Sequence, residues 1–214
     1  MEILLFYARL WRLIDGAFFL LAAGFFFSGI FCAPIVVERN VKFLLRYPIW
    51  VWGQIKRHID FGASFFRLWL VIFCLNSLSL FCNVVSGFAI ILPAVFSFLL
   101  GIHIAVIFLK EVGRLQPVLL ILNPVSLFEL PAAWISLSLG MNLGRELYLS
   151  KFSNALSLFG RELMGYLFLV LPLLAIAGFI EVALIKSLGR GISVDSGYDG
   201  EKVQGQQNRS YDKL

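Results

Sequence analysis

Apolar residues are concentrated in five long stretches, which are separated by shorter polar segments. The stretches cover residues 17–37, 65–85, 88–109, 118–139 and 163–185. Each reaches the length of about 20 residues that a helix needs to cross the hydrocarbon core of a bilayer. Runs such as 16–31 lack the alternation of barrel strands, and lipid offers the backbone no hydrogen-bond partner, so the stretches must be helical. The pattern predicts an all-α fold, a polytopic membrane protein whose bundle of about five transmembrane helices occupies residues 16–188.

The two ends of the chain differ from this bundle. In residues 1–15, Ile3, Tyr7, Leu10 and Ile14 recur at helical spacing, which predicts an interfacial amphipathic helix. Residues 189–214 are polar and rich in Gly, Ser and Gln. Such a segment cannot bury enough apolar surface to fold, so we expect a disordered tail.

The connector between the first two stretches, residues 38–64, interleaves basic and aromatic side chains. Lys42 and Arg46 stand beside Phe43 and Trp50, and Pro48 is expected to interrupt the segment. Both kinds of side chain settle at the level of the lipid headgroups. Lys and Arg are more numerous in the connector and in the segments predicted on the same side of the membrane than in the segments predicted on the opposite side. The positive-inside rule therefore places the connector in the cytoplasm of a multi-pass protein of the cell membrane.

The composition supports the membrane assignment. The chain of 214 residues is 60% hydrophobic and 14% charged, and its mean hydropathy is +0.88. Soluble domains carry about 25% charged residues, so a soluble enzyme domain is excluded. The net charge is +5, and the basic residues lie at the edges of apolar blocks and form no continuous stripe. It indicates topology signals and headgroup contacts, and we expect no nucleic-acid partner.

The segment 122–144 contains polar residues and prolines that a lipid-facing anchor does not need. Pro124 and Pro131 each remove a backbone donor, and Asn123 and Glu129 interrupt the apolar run. An intramembrane carboxylate is costly and is by default a candidate functional group. Glu129 is therefore either a gating, ion-coupling or partner-docking carboxylate, or an interfacial residue that caps a half-helix.

Other polar residues are weaker candidates. Glu181 is either a second buried carboxylate or a residue near the interface, and His103 either partners a glutamate or is a hydrogen-bonded packing residue. Small residues suggest close helix packing at Gly140, Gly144 and Gly178. The charged residues beside the last two stretches are expected to form an ion pair at the rim or a solvated face; they are Arg145, Glu146, Arg161 and Glu162.

No catalytic motif or metal-ligand spacing is present in the sequence. The three cysteines form no C-x-x-C pair, and phosphate-binding, zinc-protease and nucleophile motifs are missing. We therefore expect no cofactor, no metal, no catalytic residues and no enzymatic activity.

The run from Asn123 to Ala132, NPVSLFELPA, followed by Gly140 and Gly144, resembles the signature of the stage II sporulation protein M family. In that family a Pro-His-Gly-x-x-Glu-Leu-Pro-Ala stretch precedes a glycine-bearing helix; this chain has Val125-Ser126 at His-Gly. The resemblance covers residues 65–186, including an Asn-containing second span at 72–76 and a closing helix that runs from Leu171-Pro172 to Glu181.

The resemblance implies a multi-span membrane protein that acts as a scaffold or assembly subunit. The hypothesis is a non-enzymatic subunit embedded in the lipid bilayer, with other membrane-protein subunits or further copies of itself as partners. The alternative is a small transporter or permease subunit, with Glu129, Glu181 and His103 along an intramembrane carboxylate pathway.

Overall fold

A computed structural model describes residues 11, 14–58, 60, 62–112, 123–149 and 155–195. The elements of these residues are helical: α1 (Gly16–Glu38), α2 (Lys42–His58), α3 (Phe65–Val85), α4 (Leu92–Val112), α5 (Ser126–Leu149), α6 (Ala155–Gly165) and α7 (Leu171–Asp195). A 3-10 turn, Ser86–Ala89, follows α3, and a π-helical turn, Tyr166–Val170, joins α6 to α7. The predicted all-α membrane fold is confirmed. Most of the predicted N-terminal helix, and residues 196–214 of the predicted tail, lie outside the described residues.

Helices α1 and α4 form the most extensive helix pair. They run in the same direction: Ser97 Oγ of α4 donates a 2.6 Å hydrogen bond to the Ala22 carbonyl of α1, and Val36 and Val106 share one apolar cluster further along both helices. Between these contacts the helices cross, where Gly29 lies against Phe98 and Gly101 lies against Phe26. The two glycines bring the backbones into contact. In a membrane, where lipid is as apolar as the side chains, such close packing is a main source of helix association.

Helix α5 lies at the centre of the bundle and contacts the other long helices around it. Its residues are buried almost without interruption from Leu130 to Gly144. Trp134 on this helix packs against Phe19, Phe26 and Phe27 of α1, with ring centroids 5.7–5.8 Å apart. The central position of α5 therefore depends on helices that precede and follow it in the sequence.

The connector contains one amphipathic helix, α2. Pro48 lies inside this helix, so the expectation that it interrupts the segment is wrong. Leu45 and Pro48 are buried, and Leu45 joins the apolar cluster formed by α1 and α4. The buried side chains on one side of α2 hold the helix, proline included, against the bundle.

The last two helices form one continuous rod with a π-helical turn in the middle. Proline cannot donate to the carbonyl four residues earlier and its ring crowds that carbonyl, and Pro172 follows directly after the turn at the start of α7. The Leu171 N–H bonds to Tyr166 five residues back. The widened turn accommodates the proline, and the Tyr166 hydroxyl donates a 2.5 Å hydrogen bond to the Ser77 carbonyl of α3.

The first two predicted spans agree with α1 and α3 to within a residue at each end. The third begins later, at Leu92, because the 3-10 turn and a two-residue turn precede α4. The last begins within the rod, which runs through to Asp195 and so enters the predicted tail. Among the described residues, four helical segments are long and apolar enough to cross a membrane: Gly16–Glu38, Phe65–Ala89, Leu92–Lys110 and Ser157–Ser187.

Helix α5 is not one of these four segments, although it has 24 residues. Serine, asparagine and glutamate side chains lower its hydropathy. The predicted span 118–139 is also displaced: α5 starts at Ser126, and residues 118–122 lie outside the described residues. The displacement follows from Asn123-Pro124, a pair that favours a turn ahead of a helix.

Candidate functional site

The start of α5 is fixed by Asn123. Its side-chain oxygen accepts a 3.1 Å hydrogen bond from the Val125 N–H, and its carbonyl accepts one from the Leu127 N–H at 3.2 Å. Pro124 lies just ahead of the first turn of α5, where the helix requires no backbone N–H donor. The sequence thus places Glu129 in the first turn of α5, where the exposed N–H groups of a helix favour negative charge.

Glu129 faces two other helices. The Asn76 side-chain amide of α3 donates a 3.1 Å hydrogen bond to Glu129 Oε1. Glu181 of α7 lies close enough for its charge to act on Glu129, and both carboxylates are half-buried. We call Asn76, Glu129 and Glu181 the Glu129 site. It brings together two acidic groups and one amide from three different helices.

Two predicted neighbours of this site have other roles. Pro131 lies inside α5, where it leaves the carbonyl of Leu127 without its usual helical donor. His103 on α4 contacts the Tyr47 ring of α2, with centroids 5.6 Å apart. The structure therefore unites Glu129 with Glu181 and places the imidazole against the connector helix.

C-terminal to the Glu129 site, α3 and α5 remain joined by polar contacts. Asn83 Nδ2 donates to Ser136 Oγ at 3.2 Å, and Ser136 Oγ donates to the Ala133 carbonyl at 2.8 Å. Gly140 then lies against the Asn83 carbonyl, and Gly87 lies against the Gly140 carbonyl. The predicted packing glycine Gly140 therefore belongs to a continuous α3–α5 contact.

The other two predicted packing glycines differ from each other. A Cβ added to Gly144 would lie 3.0 Å from both Cα and the carbonyl oxygen of Ile90, so this glycine allows the turn before α4 to approach α5. A Cβ added to Gly178 would meet the Trp69 ring at an ordinary 3.5 Å. Gly178 is buried, but its position does not require a glycine.

A second polar cluster surrounds Glu162 of α6, whose side chain has no exposed surface. Its Oε1 atom accepts hydrogen bonds from Asn142 Nδ2 at 2.8 Å and from Arg161 at 3.3 Å. Arg145 donates to Asn142 Oδ1 at 3.0 Å and forms an ion pair with Asp15 at 3.1 Å. The cluster, which we call the Glu162 network, ties the start of α1 to the end of α5 and to α6.

The sequence did not identify Glu162 as a buried residue. The expected ion pairs exist, since Arg161 contacts Glu162 and Arg145 contacts Glu146, but a solvated face is wrong for Glu162. Neighbouring charges suggested exposure, whereas Asn142, 20 residues earlier, lies opposite the carboxylate and satisfies it. The Oε2 atom of Glu162 is buried without a hydrogen-bond partner among the described residues.

An apolar groove of about 370 Å³ runs between α3 and the rod that contains α6 and α7. It is separate from the carboxylates described above; its lining consists of Phe73, Cys74, Ser77, Leu78, Phe81, Leu163, Tyr166, Leu167 and Leu171. Within the described ranges, no group of three or more His, Cys, Asp or Glu side chains is placed to hold a metal ion. The titratable groups of interest are thus the two carboxylate clusters at either end of α5.

Comparison with known proteins identifies a family. No protein of curated function and no solved structure is significantly similar to the sequence. The family described as Stage II sporulation protein M matches residues 17–184, which include α1 except its first residue, α2 to α6, and the Glu129 site. Because this match covers most of the chain, the protein belongs to the Stage II sporulation protein M family.

Proposed function

We propose that the protein is a non-enzymatic assembly subunit of a complex in the cell membrane, and that the Glu129 site is where a partner subunit docks. The observation that carries this proposal is the half-buried Glu129 carboxylate, which the Asn76 amide of α3 contacts and which lies within electrostatic reach of Glu181 on α7. Among the described residues, the polar contact to Glu129 is the neutral Asn76 amide. Two carboxylates within electrostatic reach of each other in an apolar setting favour a cationic group that neutralises them.

The exposure of the site fits an external partner. Both carboxylates are half-buried, in contrast to the fully buried Glu162. A neighbouring transmembrane helix that carries Lys or Arg would bring a positive charge to the two carboxylates. The bundle itself offers wide apolar faces for such a helix, because only about a third of the residues in each candidate span is buried. The partner in this proposal is therefore another membrane subunit, or a second copy, that presents a basic residue within the bilayer.

The proposed topology is multi-pass, with the connector in the cytoplasm. The connector helix α2 contains basic residues and no acidic residue. Arg39 and Arg67 flank this helix, and the segment 110–117 on the same side adds further Lys and Arg. Under the positive-inside rule this charge retains the connector in the cytoplasm. Helices α3 and α5, which both begin on the connector side, then run outward together.

The experiment is mass spectrometry of the intact complex after gentle extraction from native membranes. We expect the wild-type chain to carry a stoichiometric partner, and Glu129→Gln and Glu181→Gln each to lose it while inserting normally. Glu38→Gln is the matched control, because Glu38 is an exposed carboxylate at the end of α1. An unchanged complex in both site variants, or an equal loss in the control, would contradict the docking role.

The same carboxylate pair supports a second candidate function. Facing acidic groups within a bundle also occur in proton- and cation-coupled carriers, so the protein as a small transporter or permease subunit is the alternative. This version requires flux through liposomes that contain the purified protein, and Glu129→Gln must abolish it. A flat trace for the wild type would reject it and leave the assembly role.

A further inference from the structure

The exposed face of α2 carries two adjoining stripes of side chains. Phe43, Tyr47 and Trp50 recur at positions i, i+4 and i+7, and their exposed fractions are 86%, 64% and 58%. Lys42 and Arg46 are separated by one turn and are also exposed. Side chains three or four residues apart lie on the same face of a helix. Aromatic and basic groups therefore lie side by side on the face directed away from the bundle.

The opposite face of α2 explains why the stripes stay outside. Leu45 and Pro48 are buried, and Leu45 packs into the cluster that includes Val36 and Val106. The Tyr47 ring contacts His103 of α4, which anchors the aromatic stripe from its inner edge. The helix cannot turn its exposed face inward without losing these contacts.

The charge of this face is uncompensated within the helix. The sequence of α2 contains no Asp or Glu, and Arg57 adds an exposed cation four turns after Lys42. Arg39 in the preceding turn is also exposed. Aromatic rings settle at the membrane–water boundary, and basic side chains beside them attract anionic headgroups.

We propose that the exposed face of α2 binds anionic phospholipid headgroups, with Lys42 and Arg46 contacting the phosphates and Phe43, Tyr47 and Trp50 entering the interface beside the acyl chains. The aromatic stripe distinguishes this occupant from a soluble phosphate, which would gain nothing from the three exposed rings. The site is separate from the Glu129 site, so it does not depend on the function proposed above.

Native mass spectrometry of the full-length protein in detergent tests the proposal. The protein is mixed with equal amounts of phosphatidylglycerol and phosphatidylcholine, and the ratio of the two bound lipids is measured. We expect the wild type to favour phosphatidylglycerol. A basic residue near a membrane surface contributes about fivefold, so the double variant Lys42→Gln/Arg46→Gln should reduce the preference by roughly 25-fold.

Two further variants distinguish a site from general charge. Arg67→Gln/Lys110→Gln removes two exposed cations outside α2 and should keep the wild-type ratio. Lys42→Arg/Arg46→Lys keeps the charge and should also keep it. Equal binding of the two lipids by the wild type would overturn the proposal. So would an unchanged ratio in Lys42→Gln/Arg46→Gln, or an equal loss in the Arg67/Lys110 variant.

Discussion

Asn76 donates a 3.1 Å hydrogen bond to Glu129, and seven residues further along the same two helices Asn83 repeats the relationship with Ser136 at 3.2 Å. Both pairs have a separation of 53 residues, so α3 and α5 run side by side in the same direction and in register. Seven residues correspond to about two helical turns. The polar pairs therefore form a ladder along one contact line, in a setting where lipid cannot replace a lost hydrogen bond.

Removing the Asn76 amide should weaken the first step of this ladder. Asn76→Leu leaves Glu129 Oε1 without the described donor, and we expect a loss of about 1 kcal/mol in the free energy of unfolding, within the range of hydrogen bonds between membrane helices. Denaturant unfolding in detergent micelles measures this change. Asn76→Asp should be more destabilising than Asn76→Leu, because it places a third carboxylate beside Glu129 and Glu181.

A double-mutant cycle isolates the contact. The cost of Asn76→Leu should be much smaller when Glu129 is already replaced by Leu, because no carboxylate then remains to lose its donor. Equal costs in the two backgrounds would show that Asn76 acts through packing and not through Glu129.

The crossing of α1 and α4 depends on two glycines. A methyl group at Gly29 would overlap the Phe98 carbonyl, and one at Gly101 would overlap the Phe26 carbonyl. Gly29→Ala and Gly101→Ala should each separate the helices and lower stability by about 1–3 kcal/mol, the usual cost of overpacking. Thermal unfolding in detergent checks this expectation.

Gly24 provides the matched control on the same helix. A Cβ at this position meets no atom within 4 Å, so Gly24→Ala should be neutral or slightly stabilising because alanine is the better helix former. If Gly24→Ala were as harmful as Gly29→Ala, the loss would come from the backbone of α1 and not from the crossing.

The helical membrane fold could be predicted from the sequence because the spans are long and their composition is extreme. The starts of α1 and α3 could be predicted because polar residues precede both helices. Asp15 caps α1 by accepting a 2.9 Å hydrogen bond from the Ala17 N–H. Periodicity could not show that α5 is the most buried helix. Its burial rests on polar contacts such as Asn83–Ser136 and Asn142–Glu162, whose side chains hydropathy counts as unfavourable.

Part of the candidate site could also be predicted from the sequence, and part of it could not. Glu129 could be identified from the sequence because a carboxylate among prolines in an apolar run is unusual. The sequence placed Glu181 beside it only along the path of the transporter alternative, and the structure brings Glu181 within electrostatic reach of Glu129. The burial of Glu162 could not be predicted from the sequence. A charge beside Arg161 suggests solvent, and only the three-dimensional approach of α5 to α6 shows that Asn142 takes the place of water.

The close contact between α5 and α3 gives a third prediction. Gly140 lies against the Asn83 carbonyl, so Gly140→Ala should push α5 from α3 and destabilise the fold, again by about 1–3 kcal/mol. Gly178→Ala should be tolerated, because its added methyl would meet the Trp69 ring at 3.5 Å. A comparison of the two melting temperatures in one detergent measures the difference. Similar losses at both positions would contradict the distinction drawn between them.

The Glu162 network should couple α5 to α6 more strongly than any exposed ion pair does. The Glu162 carboxylate is fully buried and accepts its shortest hydrogen bond from Asn142, at 2.8 Å. Asn142→Leu leaves Arg161 as the described donor to this carboxylate. We expect a loss of about 1.5–3 kcal/mol in unfolding free energy, the range for a hydrogen bond to a charged group.

Replacing both partners should cost less than the sum of the single changes, because Asn142→Leu with Glu162→Leu removes the buried carboxylate together with its donor. Unfolding of the two single variants and the double variant in detergent yields this coupling energy. Glu146→Gln serves as the control, since Glu146 is 36% exposed and pairs with Arg145 at 3.2 Å; exposed pairs contribute little. Additive losses for Asn142 and Glu162, or a loss in Glu146→Gln as large as that in Asn142→Leu, would show that the network does not hold α6 against α5.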